Sequence, residues 1–162
     1  MSRVGLVADT HLPRGSRRVP DECVTALRTC DLIVHAGDFT SLEALEWFAG
    51  LGPGLHGVHG NVDDERVRAA LPAELELDLD GFRLAVLHDA GPSAGRLGRM
   101  RERFPGAAAL VFGHSHLPLH EAAEGFEIFN PGSPTERRRA PRRSFGLLEL
   151  RAGKARFRHV WL

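Results

Sequence analysis

The chain has 162 residues and carries 21 basic against 21 acidic side chains, for a formal charge of zero. Apolar residues make up 43% and charged residues 26%. This excludes a disordered tail, a collagen-like chain and a disulfide-knotted toxin. The length suits one domain, and residues 1–162 are expected to form it.

In chain order, residues 3–8 form a short apolar run that stops at polar residues and reads as a buried strand. Pro20 and Asp21 open a predicted helix that runs to about Thr29. Residues 32–36 are a second buried strand, stopping at Gly37-Asp38. Ser41 is a good N-cap for a helix lasting to about Ala49. A third strand covers residues 55–58 and ends at Gly60-Asn61; a short helix over 64–71 stops before Pro72. Leu75, Leu77 and Leu79 then alternate with Glu76, Asp78 and Asp80, the pattern of a half-buried antiparallel strand. Asp80-Gly81 is a hairpin turn, and residues 82–87 return to end at His88-Asp89. A helix is expected over 93–104 and a buried strand over 108–112. Two hairpins follow, turning near Gly125 and at Ala152-Gly153. Early β-α-β units followed by hairpins predict two packed sheets flanked by helices.

Five of these strands end in residues that ligate metals: Asp9 and His11, Asp38, Asn61, His88, then His114 and His116. In open α/β sheets, ligands bind at the carboxyl ends of the strands. Two carboxylates, an amide and four imidazoles suit a borderline divalent ion such as Mn, Fe, Ni, Co or Zn. The set contains no thiolate, which excludes a structural cysteine–zinc site. Seven ligands exceed the needs of one four-coordinate ion and suit two ions about 3.5–4 Å apart sharing a carboxylate.

Asp9-Thr10-His11, Gly37-Asp38, Gly60-Asn61-Val62-Asp63, His88 and Gly113-His114-Ser115-His116 together resemble the motif series of the calcineurin-like metallophosphoesterases. Asn130-Pro131-Gly132-Ser133 resembles a motif of that family's small YfcE-like phosphodiesterase branch. The resemblance implies an α/β (α+β) fold, a four-layer αββα sandwich of two mixed β-sheets flanked by helices. It also implies two divalent metal ions, with manganese preferred. One ion would take Asp9, His11, Asp38 and His116, and the other Asp38, Asn61, His88 and His114, with Asp38 as the bridge. Asp38, Asn61 and His88 would be the catalytic residues, Asn61 would also bind substrate, and Asp63 would orient a ligand or a neighbouring backbone group. A hydroxide held between the cations would attack the phosphorus of a small organic phosphodiester. The alternatives are a phosphomonoesterase or nucleotidase using the same site, and a non-catalytic interaction module like the retromer subunit that shares this architecture.

The chain departs from the family pattern at two positions. Where the wider family often has a histidine that resembles a general acid, this chain has Val62, which can neither donate a proton nor bind phosphate. General acid catalysis is typically worth ~10²–10⁴-fold, so a slower enzyme, or one favouring good leaving groups, is expected. The small phosphodiesterase branch often lacks this histidine too, which favours diesters. Asp89 stands where the family usually has glycine; it could clash, add a hydrogen bond or bind metal.

Residues 136–143, Glu-Arg-Arg-Arg-Ala-Pro-Arg-Arg, read first as a solvated loop. If they rim the cleft instead, Arg137 and Arg138 are the candidates for binding substrate phosphate, since guanidinium matches its geometry. His35 reads as a core histidine, Cys23 and Cys30 as buried thiols, and Trp47-Phe48 as a pair facing the core. Two reduced cysteines, no secretory pattern and no apolar run of the ~20 residues a membrane span requires predict a cytoplasmic protein with no membrane partner. The expected partner is a small phosphorylated substrate. Zero net charge disfavours long nucleic acid, and homo-oligomerisation is left open.

Overall fold

The structure, a computed structural model, describes residues 2–162. Its elements run β1 (Ser2–Val7), α1 (Asp21–Arg28), β2 (Leu32–His35), α2 (Leu42–Ala49), β3 (Gly54–Gly57), α3 (Glu65–Ala70), β4 (Glu74–Leu79) and β5 (Phe82–Leu87). They continue α4 (Arg96–Arg103), β6 (Ala109–Val111), β7 (Leu119–Ala123), β8 (Phe126–Asn130), β9 (Ser144–Arg151) and β10 (Lys154–Trp161). Every predicted strand and helix is present.

The strands form two mixed five-stranded sheets, ordered β10-β9-β1-β2-β3 and β4-β5-β6-β8-β7. The N-terminal β-α-β units make β1, β2 and β3 parallel neighbours, while the hairpins supply the antiparallel edges. Three apolar clusters separate four layers. Val4, Leu6 and Val34 of the first sheet meet Leu84, Val86 and Phe129 of the second in the central core. The outer face of the first sheet packs on α1–α3 through Cys23, Leu27, Phe48 and Val67. The outer face of the second packs on α4 through Met100 and Phe104. The result is the αββα sandwich expected from the sequence.

The parallel core strands are short and buried on both faces, so they read as continuous apolar runs. Ser41 caps α2 by accepting the Ala44 N–H, as its position in the sequence predicts, and Asp64 caps α3 through Val67. Two expectations need correction. The helix predicted from residue 93 begins at Arg96, because Gly95 adopts the left-handed conformation at its N-cap. Trp47 is 42% exposed rather than core-facing. The buried face of α2 runs through Ala44, Leu45 and Phe48, and the indole sits beyond its edge against the Phe48 ring.

Candidate metal centre

The loops after β1, β2, β3, β5 and β6 converge where the two sheets meet. Asp9 N–H donates to Gly37 O and His11 N–H to Asp38 O, both at 3.0 Å, which laces the first two loops together. Gly113 N–H donates to His88 O at 2.9 Å and joins two loops of the second sheet. Asp9, His11, Asp38, Thr40, His114 and His116 all have positive φ, between +48° and +99°. Non-glycine residues held in this region cost of order 1–3 kcal/mol each and persist where the surroundings over-determine them, typically at functional sites. Packing here leaves no slack. A Cβ on Gly60 would lie 2.1 Å from Asp38 Oδ1, and one on Gly37, whose φ is +90°, would lie 2.7 Å from His88 Nδ1.

All seven residues singled out as ligands are brought together. His11 Nε2 lies 3.2 Å from His116 Nε2 and 3.5 Å from Asp38 Oδ2, while His116 Nε2 lies 3.7 Å from Asp9 Oδ1. On the other side, His88 Nε2 is 3.3 Å from Asp38 Oδ2 and 3.0 Å from Asn61 Oδ1, which is also 3.0 Å from His114 Nδ1. Ligand atoms of Asp9, His11 and His116 fall within 4.8 Å of one another, and so do those of Asp9, Asp38 and His88. Both carboxylates are therefore central: Asp9 belongs to both groups, and Asp38 reaches one histidine of each side.

The electrostatics suit a cage of candidate metal ligands. Burial pushes the Asp9 carboxyl up to about 7, assisted by Asp38 and opposed by His88. Its Oδ2 is buried with no hydrogen-bond partner among the described residues. Burial, with Arg138 and His11 nearby, pushes His116 down to about 4, and burial also lowers His11. Both imidazoles are thus kept neutral, as ligation requires. Burial opposes ionisation of Asp38, but hydrogen bonds from His88 and from the Val62 N–H outweigh it, so its pKa falls below the ordinary value. Burial likewise opposes charging of His88, but Asp38 and Asp9 more than offset it and raise the pKa. His88 Nδ1 donates to Ala36 O at 2.8 Å, which leaves Nε2 facing the centre.

The supporting residues fall into place around these. Asp63 accepts the backbone N–H groups of Asp38, Thr40 and Gly60 at 3.0, 2.6 and 2.6 Å, so it orients backbone beside the ligands. Ser133 Oγ donates to Asp9 O, and Asn130 Nδ2 donates to Gly113 O. The Asn130–Ser133 motif therefore buttresses the ligand loops from behind. His35 is a buried core histidine stacked on Phe39, 3.0 Å from Thr10 Oγ1. Asp89 causes no clash: Oδ1 accepts the Gly91 N–H, and Oδ2 stands 3.9 Å from His114 Nε2. Val62 is 43% exposed and donates its backbone N–H to Asp38 Oδ1.

The arginine run divides. Arg138 reaches the edge of the centre through Glu136, and its charge helps lower His116 and only partly offsets the rise of Asp9, whereas Arg137 is exposed and donates to Pro141 O. Glu136, unremarked in the sequence, sits beside the centre with Oε2 3.6 Å from His116 Nδ1 and 3.4 Å from Arg138 Nε. Its position in a run of arginines offered no hint of this. A recess of about 280 Å³ opens from the Asn61 and His88 side and is also lined by His59, Arg68, Asp89 and Arg103.

Residues 2–153 match the family model described as the calcineurin-like phosphoesterase superfamily domain. The chain is 32% identical over 134 residues to a probable metallophosphoesterase of Methanothermobacter thermautotrophicus, covering 82% of this chain and 77% of the relative. It is 22% identical over 146 residues to a phosphodiesterase of Methanocaldococcus jannaschii, covering 80% and 82%. Among solved structures, a Thermotoga maritima protein superposes with a TM-score of 0.79 at 29% identity over the full length of both chains. A single mutant of Entamoeba histolytica Vps29 superposes equally well, at 0.79, with 21% identity and 99% of both chains covered, a likeness of fold. The chain belongs to the calcineurin-like phosphoesterase superfamily.

Proposed function

We propose that this protein is a phosphodiesterase that hydrolyses a small organic phosphodiester at a centre of two divalent cations, with manganese the preferred metal. The observation that carries this reading is the convergence of Asp9, His11, Asp38, Asn61, His88, His114 and His116 from both sheets. The residues fit the ions. The donors are carboxylate and amide oxygen with neutral imidazole, a borderline-to-hard set, and Asp9 Oδ2 is a buried acceptor without a partner among the described residues. Asp9, His11, Asp38 and His116 would hold one ion, and Asp38, Asn61, His88 and His114 the other. Divalent ions held there supply a water activated near neutral pH and screening of the phosphoryl charge.

The chain's own residues supply position and charge. Asp38 spans the two halves of the site, and Asp63 fixes the backbone that carries it. Arg138, beside Glu136 at the edge of the site, would pair with a phosphate oxygen, and Asn61 lines the recess that would take one ester arm. With Val62 exposed and apolar, no side chain at that position protonates the leaving alkoxide, so diesters with good leaving groups are favoured. Buried, free Cys23 and Cys30 fit a reducing compartment, the cytoplasm.

The test is hydrolysis of bis-p-nitrophenyl phosphate and p-nitrophenyl phosphate by purified protein, with and without Mn²⁺, using Asp38→Ala as the blank. Metal-dependent diester cleavage that disappears in the variant is the expected result. Faster monoester cleavage would make it a phosphomonoesterase. Absence of turnover with Mn²⁺, Ni²⁺ and Zn²⁺ would favour the non-catalytic module, the reading to which Val62 lends support.

A further inference from the structure

We infer that Glu136 is a positioning residue for the metal site, resting on the reading above: it takes the Nδ1–H of His116 and so fixes that imidazole with Nε2 turned toward the ions. The His116 ring is 1% exposed and has two distinct ends. Nε2 faces His11 Nε2 at 3.2 Å and Asp9 Oδ1 at 3.7 Å, inside the cage. Nδ1 faces away from it, toward Glu136 Oε2 at 3.6 Å. Both His116 Nδ1 and Glu136 Oε2 are buried, and neither has a hydrogen-bond partner among the described residues. A neutral imidazole carries one proton. If it sits on Nε2 it blocks ligation and leaves Nδ1 a bare acceptor facing a carboxylate. If it sits on Nδ1, both orphaned atoms are satisfied by one bond after a small approach of the two side chains, and the Nε2 lone pair is free. Ligating histidines commonly donate their second N–H to a carboxylate or carbonyl, and losing that partner typically costs 10–100-fold in metal affinity.

Glu136 is itself held in place and kept charged. Arg138 Nε lies 3.4 Å from Oε2, and Arg17 Nη2 lies 3.6 Å from Oε1. Its backbone N–H donates to Ser133 Oγ, the same hydroxyl that donates to Asp9 O. The loop after β8 therefore delivers Glu136 to the centre through the motif that buttresses it. A similar arrangement serves His88 on the other side, with Ala36 O in place of the carboxylate. The arginine run thereby gains a function its sequence does not show: Arg138 serves Glu136 as well as the substrate.

The experiment is Mn²⁺ titration by calorimetry of the full-length wild type, Glu136→Ala and Glu136→Gln. Thermal midpoints in EDTA and long-range ¹⁵N–¹H spectra of the His116 ring accompany it. The wild type should take two ions, and its metal-free ring should show the Nδ1–H tautomer. Glu136→Ala should bind one of the two ions about 10–100-fold more weakly and lose the tautomer preference. Glu136→Gln, which keeps an acceptor but not the charge, should recover part of both. Two ions bound by Glu136→Ala with wild-type affinity would overturn the inference and leave the proposed function standing. So would equal weakening of both ions accompanied by a lower metal-free midpoint, which marks a merely structural role. A wild type that binds no Mn²⁺ would overturn the proposed function itself.

Discussion

The carboxylate of Asp63 accepts the backbone N–H of Asp38 at 3.0 Å, and the same oxygen accepts the N–H of Gly60 at 2.6 Å. Two loops from neighbouring strands thus hang on one buried side chain. Removing it strands three donors, counting Thr40, and a buried donor left unpaired costs about 1–3 kcal/mol. Asp63→Ala should lower the metal-free stability by about 3 kcal/mol or more and weaken Mn²⁺ binding with it. Urea unfolding in EDTA reads the first effect; a loss under about 1 kcal/mol would contradict the assigned role.

Two glycines give a matched pair of opposite sign. A Cβ at Gly60 would meet Asp38 Oδ1 at 2.1 Å and Asp38 N at 2.6 Å, atoms that cannot retreat without opening the site. Gly60→Ala should abolish metal-induced stabilisation and hydrolysis. Gly98 lies inside α4, and none of the described residues comes near its absent Cβ. Gly98→Ala should raise stability by about 0.5–1 kcal/mol, the helix-interior cost of glycine. Thermal melts of the two variants side by side decide the matter.

Asp9 sets a pH dependence. Its pKa in the folded protein, about 7, lies above the ordinary 3.8. Its contribution to folding is therefore fully present below about pH 4 and is lost as the pH rises through about 7. In EDTA, Asp9→Asn should be no more stable than wild type at pH ~4. At pH ~8 it should be more stable by on the order of 4 kcal/mol, because a tenfold difference in proton affinity between the folded and unfolded chain is worth about 1.4 kcal/mol. The same variant should lose stabilisation by Mn²⁺. Chemical denaturation at the two pH values checks the sign.

Burial raises the pKa of both thiols, with Cys23 fully buried and Cys30 donating to Ala26 O at 3.4 Å. The thiolate is the reactive form. The folded protein should leave both cysteines unlabelled by a disulfide reagent at mildly alkaline pH over minutes and release two equivalents on unfolding. Prompt labelling of the native state would refute this.

Arg138 stands beside Glu136, which faces His116, whereas Arg137 binds the Pro141 carbonyl. Arg138→Ala should raise KM for bis-p-nitrophenyl phosphate several-fold more than Arg137→Ala. Steady-state kinetics of the two single variants discriminate between the arginines; equal effects would deny Arg138 a special place.

The strand ends were legible because buried parallel strands appear as apolar runs and their polar stops are abrupt, as at Asp9, Asp38 and His88. Ser41 was legible because capping is local chemistry. Legibility failed where the deciding contact was remote. Glu136 acquires its meaning from His116, in another loop well before it in the chain, and nothing near it in sequence marks the encounter. The exposure of Trp47 depends on which arc of a short helix the sheet covers, and that is settled by packing rather than by periodicity over two turns. The onset of α4 hung on the backbone conformation of Gly95, one of several glycines in that stretch.

The candidate ligand set is divided between the sheets: Asp9, His11, Asp38 and Asn61 come from loops of the first, His88, His114 and His116 from loops of the second. His11 and His116 stand 105 residues apart in the chain. An ion grasped by both is a non-covalent crosslink closing a loop of that length, and long closures constrain the unfolded chain most in theory. Capture of the metal would then act as a clasp between the two halves of the sandwich. Its removal should loosen their docking across the central core before it disturbs either sheet. Opening of that seam, followed by hydrogen exchange at β1 and β6 with and without Mn²⁺, would report the state of the clasp directly.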